Sequence, residues 1–347
     1  MTKIRVLSLG VAVMALLFQS SCSALTLLGR KSTATQVYKY LDQNNQLAPY
    51  VTQGGTALVT GGNSGVGAET VKTLVQSGMN VILCARNMNS ANALKESLSE
   101  EQQDRVDIQY MDLSDLTSVK LAADDILKKY KTIDACIFNA GIMALPQRET
   151  SIDDIELQWG TNHVAHHYLA RLLLPQINPK GRMVTVASTA HAMAGSPIDD
   201  WQSSEKYSPW GAYGKSKLSN ILFAKQLQKE LKKNSGSSSE ISSVSLHPGV
   251  IASPLWKHAL PKLLQPVAKL IANKNVEQGA ATSIYCALCR KVEDGAYYDD
   301  CAVTEPKPTA NDATLQQNLW DYTEALLAEK GFKLPALDVA ESSVVQS

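Results

Sequence analysis

The stretch Ala57-Leu58-Val59-Thr60-Gly61-Gly62-Asn63-Ser64-Gly65-Val66-Gly67 decides the fold. It opens as a short apolar run, passes through a cluster of glycines and continues into a helical pattern from Ala68 to Ser77. Gly61 can take a tight turn, Gly65 lets the backbone approach a pyrophosphate, and Gly67 lets the helix lie close to the strand. The N-terminus of that helix, with Asn63, Ser64 and Val66 around it, would offer free N–H groups to phosphate oxygens. Glycines alone often only make turns. Here strand, spacing and helix agree, and together they predict a dinucleotide site.

Working outward, short β-branched runs alternate with longer helical patterns. The spacing predicts strands at Ala57–Thr60, Val81–Ala85, Ile108–Met111, Ala135–Asn139, Arg182–Ser188, Val244–Leu246 and Ala296–Tyr298. It predicts helices at Ala68–Ser77, Ala91–Leu98, Ser114–Tyr130, Asp153–Pro175, Tyr213–Lys233, Val276–Cys289 and Ala310–Leu327. This alternation predicts an α/β fold: one doubly wound Rossmann-type domain, with a mostly parallel sheet of about seven strands flanked by helices. No linker divides it, so one domain is expected over 54–330, with a disordered tail over 331–347.

At the end of the second predicted strand stands Leu83-Cys84-Ala85-Arg86-Asn87. An NAD site usually carries an acid near there to grip the ribose 2′-hydroxyl, and no acid occurs between Glu69 and Glu96. Arg86 could instead pair its planar fork with a 2′-phosphate, which favours NADP(H).

Composition narrows the function. The chain has 347 residues, 44% of them apolar, which excludes global disorder. Lys plus Arg and Asp plus Glu are 33 each, with no basic block, so a nucleic-acid partner is not expected. Six cysteines in such a chain exclude a disulfide-stapled mini-domain.

The N-terminus reads separately. Lys3 and Arg5 precede an apolar run, Val6 to Phe18, and Cys22-Ser23-Ala24 supplies small residues for cleavage. This predicts a signal peptide over 1–24, entering the secretory or endomembrane route, with an uncleaved membrane anchor as the rival. The first acid of the chain is Asp42. The acid-poor, hydroxyl-rich stretch before it makes 25–53 a transit-like or flexible segment, and the pair resembles a two-part plastid presequence.

Further motifs follow in order: Asp112-Leu113, Asn139-Ala140-Gly141, Asn162, Ser188, Tyr213-x3-Lys217 and Pro248-Gly249. With the glycine turn, they make the chain resemble the short-chain dehydrogenase/reductase family over roughly Gly54 to Leu327. Cys84 to Met88, Thr161 to His166, Lys215 to Phe223 and Tyr297 to Cys301 carry a narrower resemblance to its retinol-dehydrogenase-like subgroup. The resemblance implies that Asp112 and Leu113 lie by the adenine and that Asn139 to Gly141 flank the cofactor ribose. It also implies that Pro248, Gly249, Val250 and Ser253 lie by the nicotinamide. Ser253 stands where the family commonly has Thr, and Ala187-Ser188 where the subgroup often has Ser-Ser.

The chemistry needs an acid/base beside a hydride carrier. Tyr213 can donate a proton to a carbonyl oxygen, and Lys217, four residues on, shares its helical face. The Lys217 charge is expected to favour the phenolate. Ser188 can hydrogen-bond the substrate oxygen where charge develops. By resemblance, Lys217 also holds the nicotinamide ribose and Asn162 holds a water leading to Lys217.

Other residues read as bland. His163, His166 and His167 fall on one predicted helix and are not expected to bind a metal; Cys286 and Cys289 read as core thiols. His191 follows the active-site strand and is a candidate for lining the pocket. Leu255 to Ile271 interleaves apolar residues with lysines, either an ordinary amphipathic cover or a greasy lid touching a membrane. The expected activity is interconversion of a lipophilic aldehyde or ketone and its alcohol. The alternatives are a protochlorophyllide reductase-like enzyme and a non-catalytic dehydrogenase-like partner of plastid protein import. Homo-oligomer formation stays open.

Overall fold

In the computed structural model, residues 28–195, 198, 200–234, 240–251 and 274–337 are described. The expectations for Val6–Phe18, Ser253 and Leu255–Ile271 lie outside them.

Eight strands form one sheet: β1 Thr56–Thr60, β2 Asn80–Ala85, β3 Val106–Tyr110, β4 Ile133–Phe138, β5 Ile177–Val186, β6 Ser242–His247, β7 Tyr297–Asp299 and β8 Ala302–Val303. Their order is β3-β2-β1-β4-β5-β6-β7-β8, parallel throughout except for the antiparallel β7–β8 pair. The parallel doubly wound sheet is therefore as expected, with β8 added as a short edge strand. Central strands are buried on both faces, which explains why β4 reads as a continuous run, Ile133-Asp134-Ala135-Cys136-Ile137-Phe138. Alternate residues of β1 feed two cores: Leu58 packs with Phe138, Tyr168 and Leu222, and Val59 with Val71, Leu74 and Ile284. Strand order reverses between β1 and β4, and this crevice is where ligands bind in such sheets.

The main helices are α1 Ala34–Gln43, α2 Gly65–Gln76, α3 Met88–Glu96, α4 Leu116–Lys129, α5 Ala165–Leu173, α6 Pro209–Asn234, α7 Val276–Leu288 and α8 Ala313–Glu329. The single helix expected over Asp153–Pro175 is instead a short turn at Leu157–Trp159, a π-helical turn at Gly160–Val164, and then α5.

Within the segment expected over 25–53 to be transit-like or flexible, the part from Ala34 to Thr52 is packed rather than flexible. Thr33 caps α1 in a reciprocal box with Gln36, and Ala34, Val37 and Leu41 bury one stripe that joins the core of α7. Ala48 N–H donates to the Leu288 carbonyl at 2.7 Å, and the Tyr50 hydroxyl donates to the Ala287 carbonyl. The stripe is only two turns long and lies among hydroxyl and basic residues, so composition hid it. Of the tail expected over 331–347, the described part to Leu337 packs: Phe332, Leu334 and Leu337 lie against the core, and Arg171 donates to the Pro335 carbonyl at 2.6 Å, while 338–347 lie outside the described residues.

Candidate active site

One cavity of about 890 Å³ opens at the β1–β4 crevice. Its walls include Gly61, Asn63, Ser64, Gly65, Val66, Gly67, Arg86, Asp112, Leu113, Asn139, Ala140 and Gly141, and further along Ser188, Tyr213, Lys217, Pro248, Gly249 and Val250. Asn162 is not among its walls.

The glycine turn is shaped by contacts that tolerate no side chain. Gly61 and Gly65 have φ of +63° and +55°, the left-handed region that glycine enters without steric cost. A Cβ on Gly67 would run into the Gly61 carbonyl and come within 2.5 Å of Asn139 Nδ2. Asn139 Nδ2 donates to the Thr60 carbonyl at 2.9 Å, tying β4 to the turn. The Thr60 hydroxyl accepts from the N–H groups of Asn139 and Ala140, at 2.9 and 3.1 Å. Its own proton therefore goes to Nε2 of His166, 2.9 Å away, and His166 Nδ1–H donates to the Asn162 carbonyl at 3.0 Å. Burial holds His166 neutral, down to about 4. Asn63 Nδ2 donates to Ser90 Oγ at 2.7 Å, and the first turn of α2 carries no acid, so its positive end faces the cavity uncompensated.

Arg86 stands at the end of β2, its side chain 67% exposed, with one guanidinium nitrogen 3.5 Å from Asp112 Oδ2. The other oxygen of Asp112 accepts from the N–H and hydroxyl of Ser114. The lack of an acid along the β2 end thus coexists with a carboxylate supplied by the segment after β3, which spacing along the chain did not show.

Tyr213 and Lys217 lie on the buried face of α6, and Ser188 follows the end of β5. Ser188 Oγ accepts from the Ala190 N–H at 3.1 Å and hydrogen-bonds the Tyr213 phenol. Lys217 Nζ donates to the Val186 carbonyl at 3.0 Å and sits 5.8 Å from the Tyr213 ring centre. Burial pushes the Tyr213 phenol up to about 12, against the lowering effect of Ser188, and pushes Lys217 down to about 8. Desolvation is thus the largest influence on both the Tyr213 phenol and the Lys217 ammonium, which are buried at the cavity wall.

Asn162 stands in the π-helical turn. Its Oδ1 accepts from the Ile142 N–H at 2.8 Å, and its Nδ2 donates to the Ile142 carbonyl and Ser216 Oγ, both at 2.9 Å. The side-chain amide clamps Ile142 to α6, which holds the segment after β4 in place.

The far half of the cavity is apolar, walled by Met143, Leu145, Pro146, Leu157, Met193 and Trp210, with Glu149 as the charged exception. A buried residue that the sequence did not single out organises it. Gln158 Oε1 accepts from the Ala144 N–H at 2.6 Å, and its Nε2 donates to Tyr207 and to the Pro209 carbonyl. The Tyr207 hydroxyl donates to the Leu145 carbonyl at 2.7 Å. Ala144 has φ of +52°, a strained setting for a side-chain residue that this bond helps to hold.

His163 and His167 face neighbours of the fold, whereas His247 lies in the cavity wall beside Pro248. His163 packs on Trp159 and contacts the Thr323 hydroxyl, and His167 packs on Trp320 and Phe223. Cys286 is buried in the α7 core, which drives its thiol up. His191 is not a wall of the cavity; it lies behind Ser188.

A family profile described as short chain dehydrogenase matches residues 55–263. Short-chain dehydrogenase TIC 32 A, chloroplastic, of Brassica napus is 35% identical over 86% of this chain and 94% of its own length. Retinol dehydrogenase 12 of Homo sapiens is 33% identical over 79% of this chain and 86% of its own. The crystal structure of an uncharacterised protein from Mycobacterium paratuberculosis matches with a TM-score of 0.64 at 31% identity, covering 83% of this chain and 97% of that one. This chain belongs to the short-chain dehydrogenase family, in its retinol-dehydrogenase-like subgroup, and is an oxidoreductase that uses a nicotinamide dinucleotide on a small carbonyl or alcohol compound.

Proposed function

We propose that the protein interconverts a lipophilic aldehyde or ketone and its alcohol with NADP(H), with Tyr213 as the acid/base. The carrying observation is the position of Tyr213, Ser188 and Lys217 in one cavity, where a glycine-turn half meets an apolar half. The residues fit the dinucleotide. The turn leaves no room for a Cβ at Gly67, and the α2 N-terminus faces the cavity without an acid in its first turn. Arg86, largely exposed at the β2 end, would take the 2′-phosphate; this supports NADP(H) over NAD(H).

Hydride comes from the dinucleotide when it is bound. Tyr213 gives its proton to the carbonyl oxygen as that oxygen gains charge, and takes it back in the oxidative direction. Ser188 donates a second hydrogen bond to the same oxygen. Lys217 places positive charge beside the phenol and would hold the nicotinamide ribose. Asn162 keeps Ile142 and α6 in register beneath them. The apolar walls from Met143 to Pro146 and at Trp210 exclude water and favour a greasy substrate. Turnover of lipophilic aldehydes with NADPH tests the reading. Tyr213→Phe should abolish it while NADPH binding survives; near-normal activity would remove Tyr213 from the role.

The N-terminal reading is a proposal of the same kind: Val6–Phe18 leads the chain into the endomembrane route and is removed by residue 24, with plastid delivery as an extension. The chloroplastic relative supports that extension, and no helix among the described residues is long and apolar enough to cross a membrane. N-terminal sequencing of protein from its own cell decides it, since a chain still starting at Met1 or Thr2 refutes cleavage.

A further inference from the structure

His191 is 5% exposed and both of its ring nitrogens are engaged. Nε2 lies 2.9 Å from the backbone nitrogen of Lys307. A backbone N–H can only donate, so Nε2 must accept and the ring proton must sit on Nδ1. Nδ1 lies 2.6 Å from the Ser188 carbonyl, which can only accept. Both contacts require the same neutral tautomer, and no other tautomer satisfies either. The ring is further held edge-on by Tyr297, at 5.5 Å between centres. Lys307 immediately precedes the turn Pro308–Asn311 that leads into α8, so the ring connects that segment to the end of β5.

Ser188 is extended, with φ of −165° and ψ of 154°, and its Oγ accepts from the Ala190 N–H. Its hydroxyl direction therefore depends on where its peptide plane is held. The Ser188 carbonyl accepts from the His191 N–H at 3.0 Å as well as from the ring. The backbone bond closes a short turn; the ring bond fastens that turn to a separate part of the chain.

We propose that His191 is a positioning residue for the reaction, holding the Ser188 hydroxyl at the substrate oxygen by a hydrogen bond from Nδ1–H to the Ser188 carbonyl, with the backbone of Lys307 fixing the tautomer from the other side. The inference rests on the reading that Ser188 contacts the substrate oxygen. His191 itself lines no part of the cavity, so its effect passes through Ser188.

Two isosteric variants separate the nitrogens. The Asn amide can occupy the Nδ1 place and keep the donor to Ser188; the Gln amide reaches the Nε2 place and keeps only the contact with Lys307. Aldehyde reduction with NADPH is measured for each, in wild-type and Ser188→Ala backgrounds, alongside NADPH affinity and melting temperature. His191→Gln should lower kcat roughly tenfold with NADPH affinity unchanged, since small displacements of a catalytic group cost rate. His191→Asn should stay within about threefold of wild type, and in the Ser188→Ala background His191→Gln should add less than about twofold, as expected for residues acting through one contact. Equal losses in both backgrounds, or no loss in His191→Gln, overturn the proposal. Nitrogen NMR of the apoprotein reads the ring without turnover: an Nδ1-protonated tautomer is expected, and an Nε2-protonated one overturns it even if a variant fails to fold. A Ser188→Ala enzyme as fast as wild type would instead sink the role of Ser188 and leave the ring hydrogen bond to be judged by the NMR result.

Discussion

The Lys217 ammonium donates to the Val186 carbonyl at 3.0 Å, and Asn220 Nδ2 donates to the same oxygen at 3.1 Å. One carbonyl thus serves two donors, and Lys217 carries a buried ammonium that desolvation pushes down to about 8. Such a group costs folding free energy for the sake of the site.

That cost has a pH signature. Lys217 falls from 10.5 to about 8 in the folded chain, so the unfolded chain binds more protons between these values and stability from this group rises with pH across the window. Below pH about 8 the cost is fully present, up to about 3 kcal/mol. Lys217→Met should therefore raise the melting temperature of the apoprotein at pH 7 and do so less at pH 10, while abolishing turnover. A lower melting temperature at pH 7 would show that the ammonium is stabilising.

Cofactor choice turns on Arg86. Arg86→Ala should weaken NADPH by roughly 1.5–3 kcal/mol, the range for a hydrogen bond to a charged group, and leave NADH little changed. Equal losses for both dinucleotides in a fluorescence titration would contradict this assignment.

Gly67→Ala should both destabilise the fold and remove dinucleotide binding. The added methyl meets the Gly61 carbonyl and Asn139 Nδ2, neither of which is the free end of a flexible chain. Overpacking of this kind costs about 1–3 kcal/mol. A chemical-denaturation curve and a titration with NADPH check the two effects separately; intact NADPH affinity would mean the turn can spread without losing its ligand.

Gln158→Leu tests the apolar half alone. It leaves the Ala144 N–H without its acceptor, a loss of about 1–3 kcal/mol in stability, and releases the wall at Met143 to Pro146. KM for bulky aldehydes should change several-fold and NADPH affinity should hold. Unchanged KM across substrates of different length would show that this clamp does not set the width of the pocket.

The strand, glycine turn and helix from Ala57 to Ser77 were legible because their signals are local: an apolar run, three spaced glycines and a 3.6-residue period all lie in one window. The parallel sheet with helices on both faces followed from alternation, and Tyr213 with Lys217 from a single helical turn. The family motifs placed Ser188 and Asn139 in the same region without any geometry. What the chain order could not carry was anything made between distant segments. Asp112 reaches Arg86 across the β2–β3 ends, His191 finds Lys307 more than a hundred positions on, and Gln158 joins Ala144 to Pro209. Burial is likewise a property of the packed molecule. It raises the Tyr213 phenol, lowers the Lys217 ammonium and makes α1 part of the core, although Val37 and Leu41 look sparse among polar neighbours. Which residues alternate, turn and periodically face inward is written in the order of the chain; which of them share a low-dielectric space is set by packing, because desolvation and hydrogen-bond partners exist only once separate segments are brought together.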